Sequence, residues 1–303
     1  MKKTTQANIL LFMTALIWGI AFVAQRAGMD YVGAFTYGGA RFLLGAASLI
    51  PVILIFERGA TDRAKMRRSL LSGAVGGVIL FSAVSLQQFG IVVTGSAGRA
   101  GFITALYIIF TPIFGMFFGR KCTVLTIIGA FFALVGMYLL SVTNGFGAIG
   151  FGDILLIIGA VFWTAHILFI DHFADNIYPV RFSMVQFLVC AALSLIGAFA
   201  TETVTLQSIY DGRVSILYGG ILSAGVAYTL QVLGQRNAEP SKAAIIFSLE
   251  SLFSVIGAAI LLGERMTPRG YAGCAFIFAG IIISQLVKKP KREIKADSYD
   301  RPA

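Results

Sequence analysis

The sequence predicts an all-α polytopic membrane protein with ten transmembrane helices arranged as two inverted five-helix repeats. Three observations carry that expectation. The 303 residues are 57% hydrophobic and only 13% charged, with a mean hydropathy of +0.85, whereas a soluble domain carries about 25% charged residues. Apolar stretches of about 20 residues recur along the whole length, enough helix to cross a hydrocarbon core of roughly 30 Å. Short motifs also recur at a nearly constant offset. A β-barrel does not fit, because the segments are continuously apolar and lack the alternation of membrane strands.

The ten spans fall at 8–25, 33–56, 69–90, 99–119, 122–142, 152–171, 180–200, 214–234, 242–262 and 267–287. The first follows MKKTTQ, which looks like the start of a secretion signal, but the apolar run to Ala24 is long for one and no small-x-small cleavage site follows. Connections are short, and none is large enough for a soluble domain. The tail KKPKREIKADSYDRPA after Val287 is charged and reads as disordered. The expected division is a first repeat over 1–143, a second over 144–288 and a tail over 289–303.

The net charge of +10 does not point to nucleic acid, because the basic residues sit in short loops and at the termini without interleaved exposed aromatics. They report orientation instead. With both termini inside, inner segments hold 18 Lys and Arg, outer segments hold 5, and Arg41 lies within a span. That bias places both termini in the cytoplasm and the chain in the cell membrane. Cys122, Cys190 and Cys274 lie far apart and read as packing residues, with neither metal spacing nor a disulfide framework.

Internal repetition is visible in several motifs. Trp18 in ALIWGI matches Trp163 in AVFWTA at an offset of 145, and RFLLGAASLI from Arg41 resembles QFLVCAALSLI from Gln186 at the same offset. LQQFG from Leu86 matches LQVLG from Leu230 at 144, as do FGRKCT with LGERMT, Gly129 with Gly273 and Gly136 with Gly280. Each repeat has five spans, an odd number, so the second crosses the membrane in the opposite sense. Inverted repeats are a common transporter architecture, with a site near the midplane where the halves meet.

The tryptophan-bearing first span, the ARF of the second span and the LGE-plus-Thr turn (Leu262 to Thr267) between spans nine and ten resemble the drug/metabolite transporter superfamily. Within it, the chain is similar to the EamA-type permeases, ten-helix proteins made of two EamA repeats. The resemblance covers about residues 1–288 and implies export or exchange of small metabolites, amino acids and toxic compounds among them. It also implies a central cavity lined by spans 1, 3, 4, 6, 8 and 9. Two departures stand out. Many members read EPV where this chain has Glu250-Ser251-Leu252, so a proline that would kink span nine is absent; Pro112 remains in span four to break its helix. The first half has Arg120-Lys121 where the second has Glu264-Arg265.

Glu250 is the sharpest candidate for chemistry. A charge at the centre of a membrane helix costs roughly 2.5–3.5 kcal/mol on insertion scales. The stripe Ile246, Glu250, Ser254 and Gly257 puts it on a face of small and polar groups. A carboxylate there suits proton coupling or a substrate amine, and equally a hydrogen bond that only ties helices together. Arg41 has three readings: an ion pair with Glu250, a counter-charge for a substrate carboxylate, or snorkelling to the interface.

In span four, Gly101, Thr104, Tyr107 (or Ile108), Thr111 and Gly115 form another small-polar face, from which Thr104 and Tyr107 are candidates for substrate binding. Threonine in a membrane helix also bonds its own backbone. Gln87 and Gln88 end span three, and Gln231 repeats the first of them; such amides either recognise ligands or bridge helices. Trp18 and Trp163 sit inside their spans, away from the interfacial belt where tryptophan usually resides, and symmetry-related walls of a cavity would explain that. His166, one turn after Trp163, and Tyr228 in span eight complete the substrate-binding candidates, while Asp171 and His172 read as solvated. Gly73, Gly76 and Gly77 permit close helix approach in span three. GSAGRAG at 95–101 lacks the GK[ST] ending and the strand–loop–helix setting of a phosphate loop.

The reading is therefore a secondary transporter of small organic metabolites, with no cofactor, no metal and no nucleic-acid partner. Its partners are a small-molecule substrate and the lipid bilayer, and it is a monomer or homodimer. An exporter of hydrophobic cations is the alternative, then a channel or non-transporting membrane protein. An intramembrane enzyme would need clustered nucleophiles or metal ligands, and two histidines and three scattered cysteines without HExxH do not supply them.

Overall fold

A computed structural model of the chain describes residues 3–94, 100, 103–119, 122–141, 149–262 and 267–286. Gly101, the 95–101 glycine motif beyond Ala100, Arg120-Lys121, Glu264-Arg265 and the charged tail lie outside the described residues. Every regular element among the described residues is helical: α1 (Lys3–Gly28), α2 (Ala34–Phe56), α3 (Arg63–Thr94), α4 (Tyr107–Phe117), α5 (Val124–Ser141), α6 (Phe151–Phe173), α7 (Pro179–Thr201), α8 (Leu206–Asp211), α9 (Arg213–Leu217), a π-helical stretch Tyr218–Tyr228, α10 (Thr229–Gln235), α11 (Pro240–Phe247), α12 (Leu249–Leu262) and α13 (Pro268–Gln285). A short 3₁₀ turn, Ala174–Asn176, joins α6 to α7.

Among the described residues, six helical stretches are long and apolar enough to cross a membrane: Lys3–Gly28, Ala34–Phe56, Arg63–Thr94, Phe151–Asn176, Pro179–Thr201 and Arg213–Gln235. Shorter apolar helices fill Tyr107–Phe117, Val124–Leu139 and Pro268–Ser284. Leu54, Ile55, Phe56, Phe117, Val124 and Ile260 are among many large apolar side chains that point outward. In water such a surface would aggregate; in lipid it is solvated. The chain is a polytopic helical membrane protein.

α2 and α7 lie antiparallel, and each supplies the other's missing N-terminal cap. The N-cap positions hold Gly33 and Tyr178, neither of which caps with its side chain. At one end of the pair the Phe35 and Thr36 N–H groups donate to Glu202 Oε1 and Oε2, both at 2.8 Å, and the Thr36 hydroxyl donates at 2.7 Å. At the other end the Val180 and Arg181 N–H groups donate to Glu57 Oε1 and Oε2, at 2.9 and 3.2 Å. Arg181 closes that end with an ion pair to Glu57 at 3.5 Å. Carboxylates suit helix N-termini, where free N–H groups and the macrodipole favour negative charge. Glu57 and Glu202 are 145 residues apart, as are Phe35 and Val180, so one contact is made twice.

The α5–α13 pair repeats this logic with glycines. A Cβ on Gly280 would come within 2.5 Å of the Gly129 carbonyl oxygen, and one on Gly136 within 2.5 Å of that of Gly273. Only the absence of side chains lets these backbones approach so closely. α3 meets α7 in the same way, since a Cβ on Gly77 would lie 2.7 Å from the Gln186 carbonyl oxygen.

Among the described residues, two apolar stretches are interrupted along their length. Ala105 and Leu106 form a turn before α4, with the Ile108 N–H donating to the Ala105 carbonyl at 2.9 Å. Pro112 lies within α4 and does not make that break. Ser248 separates α11 from α12, and its hydroxyl donates to the Ile245 carbonyl at 2.6 Å. Span nine therefore breaks without a proline. The local side-chain-to-backbone bond offers the chain an alternative to the helical ladder. The wide winding over Tyr218–Tyr228 has a comparable cause: α1 donates into it, from Thr14 Oγ1 to the Ala227 carbonyl at 3.2 Å and from Trp18 Nε1 to the Ser223 carbonyl at 3.3 Å. π-helical turns are rare and cluster at functional sites.

Candidate functional site

The broken and widened helices converge on one central cavity. Trp18 and Phe22 enter from α1, Arg41 from α2, Gln87 from α3 and Trp163 from α6. Thr104 and Tyr107 flank the break before α4, Ser223 and Tyr228 come from the π-helical stretch, and Phe247 and Glu250 flank the break at Ser248. α1 reaches this place because Gly19 packs on α12; a Cβ there would lie 2.7 Å from the Glu250 carbonyl oxygen.

The wall is aromatic. Trp18 meets Tyr228 edge-on with ring centroids 4.8 Å apart, Phe247 at 5.4 Å and its repeat counterpart Trp163 at 6.4 Å, while Trp163 stacks on Tyr228 at 6.4 Å. These rings hold one another in edge and offset geometries. Trp163 is fixed further by donating Nε1–H to Gln87 Oε1 at 2.7 Å.

Polar groups interrupt this wall at chosen points. Glu250 is 9% exposed, and its Oε1 accepts from the Tyr107 hydroxyl at 3.1 Å. Thr104 Oγ1, Gln231 Oε1 and Arg41 Nε are buried without a hydrogen-bond partner. Unsatisfied buried groups are uncommon, and each asks for a ligand or a water. The cavity volume is about 40 Å³, space for roughly three waters and far below the 300–1,000 Å³ of small-molecule sites. At that size a metabolite fits only if the helices part.

Of the residues singled out from the sequence, Trp18, Gln87, Thr104, Tyr107, Trp163, Tyr228, Gln231, Glu250 and Arg41 line this cavity. The binding candidates Gln88 and His166 do not. Gln88 is rotated by one residue on α3 and faces a second, smaller cavity. His166 is fully buried behind the aromatic wall, with Nε2 3.1 Å from Gln186 Oε1 and its ring edge-on to Trp163. Arg41 and Glu250 share the cavity without pairing: among the described residues Arg41 has no carboxylate in ion-pair range. Thr111 bonds the Tyr107 carbonyl at 2.6 Å and is absent from the lining. Sequence reasoning passed over Phe22, Gln25, Ser223 and Phe247. Gln25 and Phe22 continue the Trp18 stripe at helical spacing, a signal that was available. Ser223 is five residues before Tyr228, a π spacing that the 3.6-residue period hides.

Bundled apolar helices enclose an aromatic cavity with unsatisfied polar groups, a setting suited to a membrane transporter. The EamA-like transporter family profile matches residues 5–142 and again 150–286. The chain belongs to the EamA-like transporter family and carries two EamA repeats. An uncharacterized transporter of Archaeoglobus fulgidus is 29% identical over 291 residues, covering 94% of this chain and 87% of that relative. The Escherichia coli K12 inner membrane transporter YedA is 22% identical, covering 92% and 90%. A Salmonella typhimurium protein named as a probable amino-acid metabolite efflux pump is 25% identical, covering 91% and 94%. A crystal structure shares the fold with a TM-score of 0.80 at 18% identity, over 93% of this chain and 97% of that one.

Proposed function

We propose that this protein is a secondary carrier of the cytoplasmic membrane that exports or exchanges small organic metabolites, amino acids or related compounds, by alternating access. It crosses the membrane ten times, as inverted repeats over 1–143 and 144–288, with both termini cytoplasmic. The paired caps of α2 and α7, the reciprocal glycine contacts of α5 and α13, and the breaks near Leu106 and Ser248 support two halves related by a two-fold axis in the membrane plane. Such halves exchange roles between inward-open and outward-open states. The Salmonella relative's name supports amino-acid metabolites as the solute class. No Walker motif is present, so coupling comes from protons or from the solute's own gradient.

The observation that carries this reading is Glu250, a buried carboxylate beside Tyr107 in an aromatic cavity where the two halves meet. It binds a substrate amine or a proton in alternation, which is how one site couples two fluxes. A second reading, export of hydrophobic cations, is favoured by the same carboxylate among Trp18, Trp163, Tyr228 and Phe247, since ring faces attract cations. Proteoliposomes loaded with labelled amino acids or with ethidium separate the two. Wild type should move the amino acid faster with an imposed pH gradient, and Glu250→Gln should exchange it while ignoring the gradient. Equal gradient responses from both proteins would remove Glu250 from coupling.

A further inference from the structure

Arg41 is 5% exposed, yet no carboxylate among the described residues offsets its charge. Its guanidinium lies 4.6 Å from the Phe42 ring centroid and 5.4 Å from that of Tyr37, and its Nε has no hydrogen-bond partner. Ring faces offset only part of the cost of burying a full cation. Arg41 and Val84 line both the central cavity and the smaller one of about 10 Å³, so they form the wall between the two.

Gln88 and Ser194 line the smaller cavity. They are 5% and 1% exposed, and Gln88 Nε2 and Ser194 Oγ have no partners. Three unsatisfied groups, each able to donate, thus face a space whose lining contains no acidic side chain. What they lack is an acceptor carrying negative charge. The arrangement draws on both repeats and is not duplicated: at the repeat offsets of 144 and 145, Arg41 corresponds to Gln186, Gln88 to Val232 and Ser194 to Leu49.

We propose that Arg41, Gln88 and Ser194 form a subsite for the carboxylate group of the transported solute, separate from Glu250. The proposal rests on reading the central cavity as the solute site. A carboxylate arriving through that cavity meets Arg41 first, with Gln88 and Ser194 behind it. Charge-assisted hydrogen bonds to a guanidinium are the strong ones, and their planar fork matches a carboxylate. With Glu250 free to take an amine, the cavity holds a zwitterion at both poles and an acid or an amine at one.

The test uses the chain's two tryptophans, Trp18 and Trp163, which both line the cavity and report its occupancy by emission. Purified protein in nanodiscs is titrated with L-leucine, with 4-methylvalerate (no amine), with isoamylamine (no carboxylate) and with sodium chloride against sodium gluconate. Wild type should bind leucine and 4-methylvalerate. Arg41→Gln, which copies its repeat counterpart, should weaken both by about tenfold or more while leaving isoamylamine unchanged. Arg41→Lys should recover part of the loss, and Gln88→Leu, which keeps the charge, should weaken both several-fold. Unchanged carboxylate binding in Arg41→Gln overturns the proposal, as does a wild type that binds neither carboxylate. Saturable chloride binding that blocks both carboxylates and is lost in Arg41→Gln overturns it in favour of an inorganic-anion site. A wild type that binds carboxylates through Arg41 but moves no solute across liposomes refutes the transport reading and leaves the subsite standing.

Discussion

Replacing Glu202 with glutamine changes one charge and few atoms, and its effect follows from the geometry. The carboxylate takes two backbone N–H groups at 2.8 Å and the Thr36 hydroxyl at 2.7 Å. An amide keeps one acceptor oxygen, so one N–H of the α2 terminus loses its partner and the favourable charge disappears. Hydrogen bonds to charged groups contribute about 1.5–3 kcal/mol, and a charge at a helix end about 0.3–1. The expected loss is about 2 kcal/mol, roughly 30-fold in the folding equilibrium. Glu57→Gln should lose a similar amount through Val180 and Arg181. The two sites lie at opposite ends of 23-residue helices, roughly 34 Å apart, so the double variant should sum to about 4 kcal/mol. Reversible unfolding in mixed dodecyl sulfate micelles, followed by tryptophan emission, measures all three. A single variant within about 0.5 kcal/mol of wild type, or a double variant far from the sum, would refute the reciprocal-cap argument.

Further outcomes follow from the same contacts. Gly280→Ala places a Cβ against the Gly129 carbonyl and 2.8 Å from the Ala133 nitrogen, and should cost about 2 kcal/mol in the same titration. Gly59→Ala, with nothing within 4 Å, should stay within about 0.5 kcal/mol. Trp163→Phe removes the 2.7 Å bond to Gln87 and leaves that carbonyl oxygen unpaired beside the solute; solute affinity should fall roughly three- to tenfold, about one lost hydrogen bond, as read by counterflow. Recovery of that affinity in Trp163→Phe/Gln87→Leu would show that the unpaired amide, and not the lost ring area, is responsible.

Most of the apolar organisation was legible from the sequence, because length and hydropathy answer directly to the bilayer. The spans at 33–56 and 180–200 match α2 and α7 closely. The interruptions were less legible. A proline was the expected marker of a break, yet the chain turns at Ala105–Leu106 and at Ser248, where a hydroxyl and tertiary packing do the work. Span eight reads as ordinary helix, and its wide winding depends on donors from α1, which no local window contains. The site divides along the same line. Trp18, Trp163 and Glu250 were conspicuous because their types are costly or out of place at mid-depth. Gln88 and His166 lie off the central cavity, because helix phase is fixed by neighbours that no local window contains. Glu57 and Glu202 share the repeat offset, but nothing in the residues around them marks a cap reaching across to another helix.

The reciprocal caps have a consequence for how such a chain can be assembled. Both backbone bonds that Glu202 gives to α2 are returned by Glu57 to α7, and the glycine contacts of α5 and α13 map onto each other in the same way. Each repeat therefore presents contacts that its counterpart in the other repeat answers. Two identical halves inserted in opposite orientations would find their helix caps and their glycine seam already matched. Fusing them relieves that constraint: once the copies are covalently joined, they no longer need to be identical, and Arg41 can stand opposite Gln186, giving a symmetric frame a cavity with one basic side.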